Sequence, residues 1–166
     1  MNTSHRRAAA ALAIFTTGLT TAAIALSGAA MAATQPAHVG DPAVWGPPLE
    51  ALCTDPVAAA AAGYNVIEDD TTGGLVEGTD QADVIIAAGG NDIVHAGRGD
   101  DVLCLSFGND DAFGEGGNDA IFGQGHADDL KGGANRDFLS GGGQQDRCDG
   151  GNGDDVADVS CETIAA

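Results

Sequence analysis

The sequence predicts an all-β solenoid in which nine consecutive nonapeptide units wind into two parallel sheets behind a small N-terminal cap. Three observations support this prediction. Aspartate recurs at every ninth residue, an apolar residue follows each aspartate by two positions, and glycine is concentrated ahead of each aspartate. The periodic aspartates are Asp83, Asp92, Asp101, Asp110, Asp119, Asp128, Asp137, Asp146 and Asp155. A short period held without insertion indicates a stack of one small structural unit.

Each unit divides into a loop and a short strand. Six residues rich in Gly, Asn and Asp favour turn and left-handed conformations, so they predict a loop. The next three residues predict a strand whose central, apolar side chain faces inward. These inward residues are Ile85, Val94, Leu103, Ala112, Ile121, Leu130, Leu139, Cys148 and Ala157. Two units then complete one coil, and each strand pairs in parallel with the strand two units later.

The same winding places one aspartate above another along each edge of the solenoid. Carboxylates stacked in this way repel each other unless a cation lies between them. The loops offer carboxylate and carbonyl oxygens, which suit a hard ion with six to eight oxygen ligands, so Ca²⁺ is favoured over Zn²⁺ or copper. We therefore expect folding that depends on calcium.

Residues 150–158 read Gly-Gly-x-Gly-x-Asp-x-apolar-x. This pattern resembles the nonapeptide of RTX, or hemolysin-type, calcium-binding repeats, and the chain is similar to small secreted RTX-like proteins of actinobacteria. The resemblance implies a parallel, right-handed β-roll that holds calcium between the loops of alternate units, through the motif aspartates and main-chain carbonyls. Nine units provide four odd and three even same-side pairs, so we expect several ions and at most about seven.

Two further loop positions are assigned to the calcium sites together with the nine aspartates. The fifth position of the motif, directly before the aspartate, carries a side-chain oxygen at Asn91, Asp100, Asn109, Asn118 and Asp154. The fourth position keeps its glycine at Gly90, Gly99, Gly108, Gly117 and Gly153, and the first four of these are assigned to the sites. The first copy and residues 123–149 depart from the pattern at these positions, so the central copies are expected to bind calcium best.

Residues 1–32 predict an export signal, with Arg6-Arg7 before an apolar stretch and Ala30-Met31-Ala32 as the cleavage site. A transmembrane helix is the weaker alternative because threonines interrupt the apolar run. We expect a secreted, extracellular protein without a membrane span after the signal is removed. Residues 33–52 then form a flexible leader that contains prolines and Trp45.

Residues 53–77 predict an N-terminal cap with a short helix. Asp55-Pro56 provides the helix start and Gly63 its end, and short strands are expected near Val66 and Leu75. So short a helix is marginal alone, and the open first coil is the nearest surface against which it can dock. The calcium-binding roll itself spans 78–158, and 159–166 form a C-terminal cap or tail.

Four cysteines in an exported chain indicate two disulfides, for which three pairings are possible. Cys148 occupies an inward position and Cys161 lies just beyond the last unit, so we predict that they pair. Cys53 would then join Cys104, which faces outward, and tie the cap to the outside of the roll. A metal site made of cysteines is the alternative, but the sequence contains no C-x-x-C.

The formal net charge of −19 disfavours nucleic acid and anionic lipid as partners. We predict no enzyme, because roughly 45 residues outside the signal and the repeats are too few for an ordinary catalytic domain. Neither H-E-x-x-H nor Gly-x-Ser-x-Gly occurs. Two alternatives to a simple calcium-binding protein stay open: a calcium-dependent adhesion or interaction module with a cell-surface or extracellular ligand, and a hemolysin- or hydrolase-related factor.

Overall fold

A computed structural model describes residues 47–165 of the chain. The predicted export signal and the part of the leader up to residue 46, including Trp45, lie outside the described residues. Two parallel sheets preceded by short helices make up the described part. None of these helices has the length and hydropathy that crossing a bilayer requires.

Successive strands alternate between two six-stranded parallel sheets. Sheet A contains, in spatial order, β1 (Asn65–Asp69), β3 (Asp83–Ala87), β5 (Val102–Cys104), β7 (Ala120–Phe122), β9 (Phe138–Ser140) and β11 (Val156–Ala157). Sheet B contains β2 (Leu75–Thr79), β4 (Ile93–Gly97), β6 (Asp111–Gly116), β8 (Asp129–Ala134), β10 (Asp146–Asn152) and β12 (Cys161–Ala165).

Strand partners lie two motif lengths apart, as two units per turn require. Leu103 pairs with Ile85 on one side and Ile121 on the other, so that 103 − 85 and 121 − 103 both equal 18. The predicted parallel two-sheet β-roll is therefore confirmed. The number of nine units stays a prediction, because β1, β2 and β12 add strands to the two sheets outside the nine predicted units.

The core between the sheets consists of the inward side chains that the period predicts. Eight of the nine predicted positions, Ile85 to Cys148, are fully buried in one cluster, and Ala157 is partly buried against it. Three further apolar residues, Ala87, Ala96 and Leu105, join this cluster from the first loop position of the N-terminal units.

The prediction of three-residue strands holds for β5, β7 and β9 of sheet A and is wrong for β3 and for sheet B. Strands β5, β7 and β9 have three residues, whereas β6 and β8 have six. The longer strands arise because pairing continues into the loop, where Glu115 and Gly116 lie opposite Gly133 and Ala134. Strands β6 and β8 of sheet B therefore continue further into their loops than β5, β7 and β9 of sheet A do.

The cap contains α1 (Pro47–Glu50), a 3₁₀ helix (Ala51–Thr54) and α2 (Pro56–Ala62). The start and end signals predicted for α2 are present. Asp55 accepts a hydrogen bond from the Ala58 N–H at 2.9 Å, Pro56 occupies the first turn, and Gly63 ends the helix with a φ of 100°.

The cap packs mainly on the outer face of sheet A, not only on the first coil as predicted. Leu49, Ala59 and Tyr64 form a second buried cluster with five outward residues of the sheet. Those five are Val84, Val102, Cys104, Ala120 and Phe122. The physical reason is that the outward residues of β3, β5 and β7 are apolar, so they provide a larger surface to bury than the end of the roll.

Both predicted disulfides are present. Cys53 joins Cys104 and links the cap to β5, and Cys148 joins Cys161 and links β10 to β12. No cysteine in residues 47–165 is free. One disulfide therefore ties the cap to the third strand of sheet A, and the other ties together the last two strands of sheet B.

Candidate metal centre

The motif aspartates lie in two files, one along each edge of the roll. One file contains Asp83, Asp101, Asp119, Asp137 and Asp155, and the other contains Asp92, Asp110, Asp128 and Asp146. All of them except Asp155 are at most 3 % exposed. Carboxyl groups buried to this degree need compensating interactions.

From Asp101 onward, one oxygen of each stacked aspartate accepts a main-chain N–H, whereas both oxygens of Asp92 are unpartnered. Oδ1 of Asp119 accepts the N–H of Asp101 at 2.9 Å, and Oδ1 of Asp137 accepts the N–H of Asp119 at 2.9 Å. The same contact recurs at 2.8 to 3.0 Å through both files. These bonds hold each carboxylate in a fixed orientation and lock the loops of successive turns together.

The other carboxylate oxygen has no hydrogen-bond partner. Oδ2 is buried and unpartnered at Asp92, Asp101, Asp110, Asp119, Asp128, Asp137 and Asp146. A buried unpaired carboxylate oxygen costs several kcal/mol or more, of order 1–3 kcal/mol even for a neutral group. A repeated set of unpartnered carboxylate oxygens fits a hard cation, because Ca²⁺ prefers carboxylate and carbonyl oxygens.

Burial also shifts the protonation of these groups. Loss of hydration raises the pKa of Asp119 to about 9, and the pKa values of Asp101, Asp128 and Asp137 to about 7. The N–H that each Oδ1 accepts opposes this shift, and neighbouring carboxylates add to it. Burial also raises the pKa of Asp92 and that of Asp110. An ion bound at these sites therefore has to compete with protons.

Main-chain carbonyls approach the unpartnered oxygens where the first loop position is glycine. A Cβ added at Gly114 would lie 2.5 Å from Asp119 Oδ2 and 2.5 Å from the Gly132 carbonyl oxygen. Added at Gly123, it would lie 2.5 Å from Asp128 Oδ2 and 2.6 Å from the carbonyl oxygen of the next first-position glycine, residue 141. The absent side chains leave carboxylate and carbonyl oxygens facing one shared space, and this donor set fits calcium.

The chain matches the RTX calcium-binding nonapeptide repeat, described as four copies, over residues 75–103, 105–139 and 122–157. The repeat domain belongs to this RTX family. No curated protein and no solved structure matches the chain. RTX repeats bind Ca²⁺ in general, and the oxygen donors described above suit that ion.

The fourth position has a left-handed backbone in seven of the RTX loops. Gly90, Gly99, Gly108 and Gly117 have φ between 110° and 152°, and a Cβ at Gly108 would overlap the Gly90 carbonyl oxygen. Three copies reach the same region without glycine, with φ of 82° at His126, 80° at Asn135 and 76° at Gln144. The carboxylates that follow, Asp128, Asp137 and Asp146, have the same unpartnered oxygen as the central copies. The loss of the fourth-position glycine in residues 123–149 therefore adds backbone strain to the loops but leaves the unpartnered carboxylate oxygens in place.

The fifth-position side chains contact the main chain of the adjacent turn. Oδ1 of Asn91 accepts the Asn109 N–H at 3.0 Å, and Oδ1 of Asp100 accepts the Asn118 N–H at 2.9 Å. Asn109 and Asn118 continue the two series by accepting the N–H groups of Ala127 and Arg136. Asp154 is exposed at the last RTX copy. Asn91, Asp100, Asn109 and Asn118 thus hold the loops in register, on a different side from the buried Oδ2 atoms.

The first RTX copy differs from the others in a way that the sequence analysis missed. Both oxygens of Asp83 are hydrogen-bonded: Asn65 Nδ2 donates to Oδ1 at 2.7 Å, and the Thr79 N–H donates to Oδ2 at 2.6 Å. Asn65 stands where the file would otherwise continue with an aspartate, since 83 − 65 = 18. A neutral amide and a threonine thus end the file without a metal.

The histidines in the described region, His95 and His126, lie outside the two files. His95 Nδ1 lies 2.7 Å from Glu115 Oε1, and its ring stacks on Phe113 at 4.7 Å on the outer face of sheet B. No three His, Cys, Asp or Glu side chains converge as a metal-binding group in residues 47–165. The oxygens that do converge are the carboxylate Oδ2 atoms and the loop carbonyls.

Proposed function

We propose that this chain is a secreted calcium-binding protein whose RTX repeats fold when several Ca²⁺ ions, at most about seven, bind between stacked loops. The observation that carries the proposal is the row of buried, unpartnered Oδ2 atoms along both edges of the roll. Each ion would take Oδ2 atoms of the motif aspartates together with carbonyl oxygens of the first- and fourth-position loop residues, Gly90, Gly99, Gly108 and Gly117 among them. The fifth-position residues would support the site by fixing the loops.

Linkage explains why such ions would promote folding. The unfolded chain has no preformed site, so a ligand that binds only the folded roll stabilises it by RT ln(1 + [Ca²⁺]/Kd), about 2.7 kcal/mol per ion at one hundred times Kd. Without the ion, the roll keeps its buried carboxyls either charged and unpaired or protonated. Both states reduce the free energy of unfolding.

Two features support the extracellular assignment. The two disulfides, Cys53–Cys104 and Cys148–Cys161, are typical of an oxidising compartment. The predicted export signal contains Arg6 and Arg7 and no acidic residue, so its removal changes the charge balance from 6 − 25 to 4 − 25, which is −21. Extracellular calcium would then meet a strongly acidic chain, to which it is attracted.

Circular dichroism of the purified mature chain, in calcium and in chelator, tests the proposal. We expect the strand signal to decrease in chelator and to return with calcium, and calorimetric titration to give between two and about seven ions per chain. A strand signal unchanged by chelator, together with no heat of calcium binding, would contradict the proposal.

A calcium-dependent interaction module is the second candidate. The outer face of sheet B leaves Leu75 62 % exposed and Ile93 43 % exposed, next to Glu77 and the His95–Phe113 stack. Exposed apolar residues grouped on a rigid face favour a binding role. Pull-down from extracellular matrix in calcium and in chelator would separate this candidate from simple ion binding, which predicts no retained partner in either condition.

A further inference from the structure

The two halves of the roll differ at the first loop position. In the second to fourth units this position is Ala87, Ala96 or Leu105, and all three side chains are fully buried in the central core. In the first unit it is Gly78, and in the C-terminal units it is glycine as well, at Gly114, Gly123, Gly132, Gly141 and Gly150. The second to fourth units therefore have two inward side chains each, and the other units have one.

The N-terminal half also has a second layer of apolar contacts. The cap residues Leu49, Ala59 and Tyr64 cover Val84 and Val102, both of which are 0 % exposed. The Cys53–Cys104 disulfide ties the cap to β5 in the same region. The same cluster extends to Ala120 and Phe122 of β7. Beyond β7 the outer face of sheet A is less covered, since Phe138 is half-buried and Val156 is 41 % exposed.

One of the two carboxylate files begins in the N-terminal half with Asp83, which is hydrogen-bonded at both oxygens by Asn65 and Thr79, so the first turn needs no cation there. The other file begins with Asp92, whose two oxygens are both unpartnered. In the C-terminal half the unpartnered Oδ2 atoms of Asp119, Asp128 and Asp137 face first-position glycines. Removing the ion there leaves a unit with one inward side chain and an uncompensated carboxylate.

We infer that the calcium requirement for folding is confined to the C-terminal half of the roll, from Gly114 to Cys161, and that the cap and the strands up to β5 form a platform that stays folded without calcium. The inference rests on the proposed calcium-dependent folding and states where in the chain it operates. Ions bound next to Asp92, Asp101 and Asp110 add stability to the platform, but its apolar contacts and its disulfide are present without them. The platform then provides the template against which the later strands pair when calcium arrives.

Amide hydrogen exchange of the mature chain, with both disulfides intact, tests the inference in calcium and in chelator. In calcium, amides of β3, β5, β8 and β10 should all be protected. In chelator, we expect β3 and β5 to keep protection at least about a hundredfold greater than that of β8 and β10. Equal loss of protection in both halves would overturn the inference and leave calcium-dependent folding intact. Full protection of both halves in chelator would overturn the proposed calcium-dependent folding together with the inference.

Two matched variants separate the halves. Asp137→Asn keeps the Oδ1 acceptor for the Asp119 N–H and replaces the unpartnered Oδ2 with an amide NH₂ group. The calcium concentration at which the amides of β10 reach half of their full protection should therefore rise by about tenfold. Asp101→Asn makes the same change in the other half and should leave the protection of β3 and β5 in chelator unchanged. Loss of that protection in Asp101→Asn, or an unchanged calcium midpoint in Asp137→Asn, would contradict the inference.

Discussion

Oδ1 of Asp119 accepts the main-chain N–H of Asp101, one turn away in the same file, at 2.9 Å, while Oδ2 of Asp119 is buried without a hydrogen-bond partner. The two oxygens of one carboxylate thus have different tasks. The first connects the turns of the roll whether or not a metal is bound, and the second is available to a cation. A substitution that changes one oxygen and keeps the other can therefore separate stacking from binding.

Asp119→Asn makes that separation. The amide can keep its Oδ1 towards the Asp101 N–H, but it replaces the anionic Oδ2 with a donor that repels a cation. We expect calcium stoichiometry to fall by about one ion and the midpoint of calcium-induced folding to rise by about tenfold. Calorimetry and circular dichroism measure the two quantities. Asp111→Asn, at an exposed carboxylate one residue after Asp110, is the control and should change neither; equal effects of both variants would refute the site assignment.

The raised pKa values predict how stability depends on pH in chelator. Burial raises the pKa of Asp119 to about 9 and those of Asp101, Asp128 and Asp137 to about 7, above the ordinary value of 3.8. Between pH 4 and 9 the folded state therefore holds protons that the unfolded state has lost, so raising the pH lowers the free energy of unfolding. Urea denaturation in chelator at pH 5 and pH 8 should show the higher midpoint at pH 5.

Calcium should reverse this dependence because it displaces the same protons. Its apparent affinity should rise from pH 5 to pH 8, and binding should release protons, which calorimetry detects as a heat that changes with the ionisation enthalpy of the buffer. An affinity that falls over this range, or a binding heat independent of the buffer, would show that the titrating carboxyls are not the ligands.

Gly117→Ala tests the close stacking of the fourth loop positions. Gly117 has a φ of 146°, and an added Cβ would overlap the Gly99 carbonyl oxygen. We expect a loss of about 3 kcal/mol or more in the free energy of unfolding, because the backbone of the adjacent turn cannot move aside without breaking its own contacts. The adjacent Gly116 is the matched control, since the nearest atom to its Cβ would be the Gly97 carbonyl oxygen at 3.9 Å. Gly116→Ala should cost less than about 1 kcal/mol, and similar losses for both variants in denaturant titrations would contradict the stacking argument.

The reverse substitution tests loop strain where the motif departs from glycine. Gln144 occupies the fourth position with a φ of 76°, so Gln144→Gly should raise the free energy of unfolding by about 0.5–1 kcal/mol in saturating calcium. Gln81 occupies the equivalent position of the first copy and is not among the positive-φ residues of the described region. Gln81→Gly should therefore be neutral or destabilising, and a gain in stability from it would count against this explanation.

The nine-residue period could predict which residues stack, because parity alone decides which units share a sheet and an edge. It also placed Cys104 outward and Cys148 inward, which is why both disulfides could be paired from the sequence. It could not predict which oxygen of Asp119 meets which atom, since a one-dimensional period contains no information on side-chain torsions. The hydrogen bonds around Asp83 were missed for a related reason: Asn65 lies in the file at the correct spacing but is not an aspartate.

The nine-residue period could not predict the docking site of the cap either. Val84 and Val102 occupy outward positions, which are solvent-exposed in a bare solenoid, and nothing in the repeat distinguishes sheet A from sheet B. The distinguishing signal was the apolar character of the outward residues in alternate units, Val84, Val102 and Ala120, against Asp111 and Asp129 in the others. Comparison of the outward residues by parity would have predicted the covered face.

The Cys53–Cys104 disulfide should hold the cap over Tyr64. Burial raises the pKa of this tyrosine, the only one in the chain, to about 12, and nearby Asp100 and Asp101 contribute further. Replacing both cysteines with alanine removes a cross-link that spans 51 residues, for which about 4 kcal/mol of stability is expected. Looser packing of the cap should then lower the pKa of Tyr64 towards its ordinary value of 10, which tyrosinate absorbance measures directly.

The control is the Cys148→Ala and Cys161→Ala pair, which removes a cross-link over 13 residues at the C-terminal end of the roll. It should cost about 3 kcal/mol while leaving the Tyr64 titration unchanged. An unchanged Tyr64 titration in the first variant would show that apolar contacts alone retain the cap, because the disulfide is then not what keeps water from the ring.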